Sequence, residues 1–89
     1  MTRPPDWTAK DLLQWARIPE GLADLLCRYS ATRYVSIRKL RGSAREAYLV
    51  EARREFAALA SEHGFSASAI GRALDRDHTT ILHHLKIAA

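Results

Sequence analysis

Apolar residues in this chain recur every three or four positions, and β-branched residues nowhere alternate with polar ones; the one short strand candidate is Tyr34-Val35-Ser36-Ile37. The pattern predicts helices throughout. Pro4-Pro5 reads as an extended leader. Thr8 caps a short helix from Ala9 to about Ala16, with Asp11 in the acidic position of a capping box. Pro19 suits the first turn of a second helix, running to about Tyr29 with Leu22, Leu25, Leu26 and Tyr29 on one face. Ser36 starts a single turn that Gly42 ends. Ser43-Ala44-Arg45-Glu46 reads as a second capping box and opens the longest helix, about 43–63, in which Leu49, Ala52, Phe56, Leu59 and His63 form the inward stripe. Gly64 stands where a left-handed C-terminal residue belongs. Ser66 caps a short helix to about Leu74, with Ile70 and Leu74 inward. Asp75-Arg76-Asp77 make a tight connection. Asp77 then caps a last helix from His78 to about Ile87, with Ile81, Leu82 and Leu85 inward. The expectation is an all-α single domain of five to six helices that ends in a helix-turn-helix.

Length limits what such a fold can do. Eighty-nine residues make one domain with one modest core, with no room for a second, catalytic domain. No stretch approaches the roughly 18 apolar residues that a membrane span needs, and no apolar segment follows a basic one at the N-terminus, so neither a membrane nor a secretory route is expected. The single cysteine, Cys27, fits a reducing compartment, and a cytoplasmic, nucleoid-associated protein is expected. No GxxxxGK[ST] run occurs and the four glycines are scattered at 21, 42, 64 and 71, so no nucleotide or other cofactor is expected.

Charge adds the first functional hint. The net charge is +4, but residues 28–45 carry Arg28, Arg33, Arg38, Lys39, Arg41 and Arg45 and no acid. A basic excess in so short a window suits a polyanion, although a solvated basic loop is the plainer alternative for a charge run taken alone. The last helix sharpens the choice. With Ile81, Leu82 and Leu85 inward, Thr79, His83 and Lys86 fall on the opposite side, and His78 and Thr80 sit at the N-terminal end, where free amides and the helix dipole favour phosphate. Arg76 can fork onto guanine, Asp77 can accept from a cytosine amino group, and a threonine methyl can meet a thymine methyl. If Asp77 and Thr80 only cap the helix, Arg76, His78 and Thr79 beside them go unexplained.

The run Ile70-Gly71-Arg72-Ala73-Leu74-Asp75-Arg76-Asp77-His78-Thr79-Thr80-Ile81-Leu82-His83 resembles the signature of the C-terminal DNA-binding domain of the bacterial replication initiator DnaA. Val50-Glu51-Ala52-Arg53 with Phe56 to Ala60 is similar to that family's long helix, and Leu40 to Arg45 to its basic loop. The resemblance spans about residues 34–87, more weakly 22–33. It divides the chain into an N-terminal helical extension, 1–33, and a DNA-binding domain, 34–89, with a Trp-repressor-like arrangement. It implies double-stranded DNA as the partner, read at DnaA-box-like sites, and a role in regulating transcription or replication. By position, Arg76, Asp77, His78, Thr79 and Thr80 match residues that contact bases and phosphates in the major groove. Arg45 matches an arginine that enters the adjacent minor groove, and Ser68 falls near a backbone-contacting position. Arg38, Lys39 and Arg41 are expected to supply phosphate charge, with His83 and Lys86 further along the reading helix. Asp75 stands where glycine is common in the family, in a turn one residue shorter than usual, and aspartate tolerates the left-handed conformation. No ATPase domain lies within the 89 residues, so the expectation is a box-reading domain acting without one, as a monomer, with a dimer the alternative.

Other chemistries fit less well. Cys27, His63, His78, His83 and His84 offer no HxxxH or CxxC pair, so no metal is expected. Asp77-His78 lacks a nucleophile and a pocket, so the protein is not expected to be an enzyme. Trp7 and Trp15, spaced eight apart, could form an exposed patch for a protein-interaction adaptor with only non-specific DNA affinity; the reading preferred here places both over the core.

Overall fold

The computed structural model describes residues 6–88, so the leader at Pro4-Pro5 lies outside the described residues. The chain runs through α1 (Ala9–Asp11), continued by a π-helical turn (Leu12–Ala16), then α2 (Glu20–Arg33), α3 (Ile37–Arg41), α4 (Ala47–Glu62), α5 (Ala67–Leu74) and α6 (His78–Ala88). Among the described residues no strand forms, and no helix is long and apolar enough to cross a membrane.

Local chemistry accounts for most boundaries. The Thr8 hydroxyl accepts from the Asp11 amide while the Asp11 carboxylate accepts from the Thr8 amide, the reciprocal pair expected from the sequence. Ser36 and Ser66 accept from the amides three residues on, of Lys39 and Ala69. α2 outlasts its expected end by a turn and stops at Tyr34, which takes the left-handed conformation (φ 55°). The Val35 amide bonds the Ser30 carbonyl while the Ser30 hydroxyl bonds that of Val35, so the supposed strand is a helix stop. α4 and α5 end alike. Past α4, Gly64 (φ +89°) is left-handed and the Phe65 amide reaches back to Ala60. Past α5, Asp75 (φ 53°) is left-handed and the Arg76 amide reaches back to Gly71. Asp75 thus takes the glycine-like role expected of it.

The long helix departs from expectation at its start. Ser43-Ala44-Arg45-Glu46 is not a capping box. Helix α4 begins at Ala47 with Glu46 as a cap that makes no side-chain hydrogen bond. The reason lies upstream. Gly42 is extended (φ −87°, ψ −176°), and two guanidinium groups hold its carbonyl: Arg53 Nη2 donates at 3.1 Å and Arg76 Nη2 at 2.5 Å. The chain therefore leaves α3 through an irregular loop, 42–46, that bends at Gly42 and Ser43. The inward face of α4 also differs: Leu49, Ala52 and Phe56 are buried as expected, but the stripe continues through Ala57 and Ala60. Leu59 is only half-buried and His63 is exposed, its ring Nδ1 2.9 Å from the Leu59 carbonyl at the helix end.

The core is one cluster drawn from every helix after α1, with Leu12 of the π-helical turn; Leu22, Leu26, Ile37, Leu40, Leu49, Phe56, Ile70, Leu74 and Ile81 are fully buried. Tyr29 packs on Phe56 with ring centroids 5.5 Å apart, and its hydroxyl donates to Glu55. One charged group lies inside this shell. Arg53, only 4% exposed, donates to the carbonyls of Leu40 and Lys39 at 2.9 Å each as well as to Gly42. A helix C-terminus carries free carbonyls and a negative dipole end, so the guanidinium satisfies α3 as a cap would. α5 meets α6 with little clearance: a Cβ on Gly71 would lie 2.5 Å from the Arg76 carbonyl oxygen, so only glycine lets the turn fold back.

Two substitutions measure these constraints. Arg53→Met removes three guanidinium–carbonyl hydrogen bonds from inside the core shell and is expected to lower unfolding free energy by about 3 kcal/mol. Gly71→Ala pushes a methyl against backbone and is expected to cost about 2 kcal/mol. Urea unfolding followed by far-ultraviolet circular dichroism reads both; a change below about 0.5 kcal/mol, the usual range for surface positions, contradicts the account.

Candidate nucleic-acid interface

α5 and α6 form the helix-turn-helix, with α6 crossing both α5 and α4. Three residues, 75–77, join them. The Asp77 carbonyl accepts from the amides of Thr80 and Ile81 and so starts α6. Its carboxylate lies 3.0 Å from Nδ1 of His78, so Asp77 holds the cap position through its backbone while its side chain orients the neighbouring imidazole. His78 and Thr79 are exposed and Thr80 is half-buried.

One inward assignment fails on α6. Ile81 is buried and Leu85 half-buried, but Leu82 is 52% exposed. The inner stripe is Ile81, His84 and Leu85, because three- and four-residue steps from Ile81 land on His84 and Leu85. Leu82 belongs with Thr79, His83 and Lys86, all exposed, at relative positions i, i+3, i+4 and i+7. The outward face is thus a hydroxyl and methyl, an isobutyl group, an imidazole and an ammonium.

Beside the first turn of α6 lies a basic concavity of about 530 Å³, lined among others by Gly42, Arg45, Arg53, Arg76, Thr80 and His84. It brings together two of the outward-facing candidates, Arg45 from the 42–46 loop and Thr80 from α6, which are thirty-five positions apart in sequence. Arg45 is exposed.

Arg76 and Arg41 are turned elsewhere. Arg76 Nη2 donates to Gly42 as described, and Nη1 lies 3.1–3.5 Å from the carbonyls of Asp75, Leu74 and Arg41. The expected fork onto guanine is not presented: the guanidinium ties the helix-turn-helix turn to the 42–46 loop. Arg41 Nη1 donates to the carbonyls of Arg72 and Ala73 at the end of α5, and its guanidinium carbon sits 4.7 Å from the centroid of the Trp7 ring. Its donors likewise serve the fold, while its charge remains beside the concavity. Neither role was legible from sequence, since both rest on backbone carbonyls that only the tertiary fold brings near.

The remaining candidates scatter. Lys39 is exposed on α3 and Ser68 on the first turn of α5. Arg38 is exposed but lines a separate hollow with Asp6, Asp11, Trp7 and Trp15. The tryptophans part company. Trp7 is packed against the core, whereas Trp15 is 68% exposed beside Leu13 at 40%. Both rings line one hollow, but the expectation that both cover the core holds only for Trp7; Trp15, within the π-helical turn, points to solvent.

His84, half-buried, is the imidazole that lines the concavity. Its Nδ1 is shielded and has no hydrogen-bond partner. Desolvation, then the positive charges of Arg54, His83, Arg53 and Arg76, hold its pKa below the ordinary 6.5.

Comparison with known proteins agrees with the helix-turn-helix. A family model described as the bacterial dnaA protein helix-turn-helix matches residues 25–87. The matched region begins inside α2 and takes in the 42–46 loop and the whole helix-turn-helix. No curated protein and no solved structure matches the chain.

The depressed His84 pKa fixes the sign of a pH effect. Below pH 6.5 the unfolded ring takes up a proton that the folded ring resists, so the unfolded state binds more protons and stability falls as pH drops through that range. Urea midpoints at pH 7.5 and 5.5 are expected to decrease for the parent and to decrease less for His84→Gln. Equal decreases would remove His84 as the source.

Proposed function

The chain belongs to the bacterial DnaA helix-turn-helix family, and on that premise we propose that it binds duplex DNA sequence-specifically, with α6 in the major groove and Arg45 in the adjacent minor groove. The juxtaposition of Arg45 and Thr80 across one basic concavity carries this reading. A helix running along a groove about 12 Å wide presents one face to base edges, and the exposed face of α6 offers Thr79 and Leu82 for thymine methyls, His78 and Asp77 for base-edge hydrogen bonds, and His83 and Lys86 toward the phosphates. Arg45, exposed and outside the helix because α4 begins only at Ala47, suits a narrow A·T-rich minor groove. Arg38, Lys39 and Ser68 supply outlying backbone contacts. Arg41 and Arg76 contribute positive potential and loop geometry rather than base contacts. The target is a DnaA-box-like site, and occupancy of such sites regulates transcription or initiation at the nucleoid.

A second reading, a protein-interaction adaptor with non-specific DNA affinity, is favoured by one observation, the exposure of Trp15 and Leu13. The two readings differ in their response to salt. Each neutralised phosphate contributes a slope of about −0.9 to log K against log salt, which an apolar adaptor contact does not.

Selection of bound duplexes from a random library tests the proposal, and is expected to return a single asymmetric motif flanked by A·T pairs. On that motif Thr79→Ala is expected to cost about 1–3 kcal/mol and to relax preference at one base pair. Arg45→Ala is expected to remove the A·T preference of the flank, and Lys39→Ala to weaken all duplexes alike with a salt slope reduced by about 1. Recovery of no motif, or of a motif indifferent to both Thr79→Ala and Arg45→Ala, would sink the proposal.

A further inference from the structure

Residues 6–24 lie outside the family match, yet they grip the helices that carry the interface at three points. The first is the Asp6 carboxylate, which accepts from the Ile37 amide at 2.9 Å, the Arg38 amide at 3.1 Å and the Ser36 hydroxyl at 2.6 Å. Ser36 takes the Lys39 amide, so the first three amides of α3 are all satisfied, two of them by a residue thirty positions upstream. α3 has five residues, of which Arg38, Lys39 and Arg41 are basic; alone, so short and self-repelling a helix would not persist. Partial burial raises the Asp6 pKa, but the hydrogen bonds from Ser36, Arg38 and Ile37 outweigh it and hold it below the usual 3.8, so the cap is an anion near neutral pH.

The second point is Trp7. Its ring backs the Arg41 guanidinium, whose other side of the contact is the C-terminal carbonyls of α5. Its carbonyl faces the Cys27 thiol of α2 at 3.8 Å. The third point is the Arg17 carbonyl, left-handed at φ 56° where the π-helical turn stops; it accepts from Arg72 Nε of α5 at 3.3 Å.

We infer that the segment from Asp6 to Arg17 is a positioning strap for DNA recognition, fixing α3 and the 42–46 loop against α5 so that Arg45 stands at the correct distance from the reading face of α6. The inference rests on the proposed DNA-binding function. Its mechanical logic is that Arg45 lies four residues past Arg41, in a loop with no helical bonds of its own. Arg41 is held between an indole ring and the end of the helix that precedes the reading helix. Without the ring, the guanidinium can leave the α5 carbonyls for solvent, and the loop shifts relative to α6. Recognition that spans two grooves depends on that distance; attraction to phosphate does not. Trp7 and Asp6 are positioning residues, touching no DNA themselves.

The experiment compares the full chain with Trp7→Ala, Arg41→Lys and the double variant. Affinities are measured for the selected duplex and for a scrambled duplex of the same length, with the folded fraction taken from circular dichroism at the assay temperature. Trp7→Ala is expected to weaken the selected duplex about tenfold, the scale of a partly desolvated cation–π contact, and to change the scrambled duplex less than twofold. Arg41→Lys keeps the charge but loses the fork that spans two carbonyls; it is expected to behave alike, with the double variant little worse than either single. Trp7→Phe, which keeps an aromatic face, is expected to recover most of the affinity. Should Trp7→Ala not fold, Asp6→Asn, which removes the anion from the α3 cap, replaces it in the same comparison. Equal losses on both duplexes, additive losses, or a lowered melting temperature with an unchanged selected-to-scrambled ratio would each overturn the strap. If the parent itself does not discriminate the two duplexes, the failure lies with the DNA-binding proposal instead.

Discussion

The structure turns on guanidinium groups bonded to backbone carbonyls. Arg53 closes the end of α3, Arg41 closes the end of α5, and Arg76 crosses from the turn before α6 to Gly42. Each uses the flat, multi-donor geometry of arginine where a lysine would make a single contact. Together they let two short helices and a loop with no regular hydrogen bonds keep fixed positions in a core of modest size. Gly42 is extended because its carbonyl is held from two sides, and α4 starts late for the same reason.

This arrangement divides the basic residues by task. Arg41, Arg53 and Arg76 are bound into the scaffold, and their charge acts at a distance. Arg45, Lys39 and Arg38 keep exposed heads. A charge count over residues 28–45 treats Arg41 as the equal of Arg38, Lys39 and Arg45 and leaves out Arg53 and Arg76, yet the arginines bound into the scaffold and the basic residues with exposed heads are different sets. The same holds on α6, where the acid that starts the helix does so with its carbonyl and gives its carboxylate to His78.

Helix order, the reciprocal Thr8–Asp11 cap, the serine caps at 36 and 66 and the left-handed stops at Gly64 and Asp75 were legible because each depends on residues within a few positions. The family resemblance was legible because the Arg76–Thr80 run is contiguous and follows the Ile70-Gly71 pair. What sequence hid was non-local. The box at Ser43–Glu46 satisfied a local rule and lost to carbonyl bonds from Arg53 and Arg76. Leu82 read as inward because it is apolar, although helical phase set from Ile81 assigns the inner place to His84. Trp7 and Trp15 were expected over the core together, yet only Trp7 packs on it, while Trp15 sits exposed in a π-helical turn that no local rule announces. Asp6, which caps a helix thirty residues away, left no local trace.

Crowding several guanidinium groups and a shielded imidazole around one hollow, with few acids to offset them, leaves the unliganded molecule carrying an internal repulsion that its carbonyl bonds must outweigh. On the proposed docking, a polyanion lying across that hollow would relieve the repulsion as it binds. Occupancy and order of the loop would then be one coupled equilibrium, and counter-anions of the solution would act on its folding as well as on its encounters.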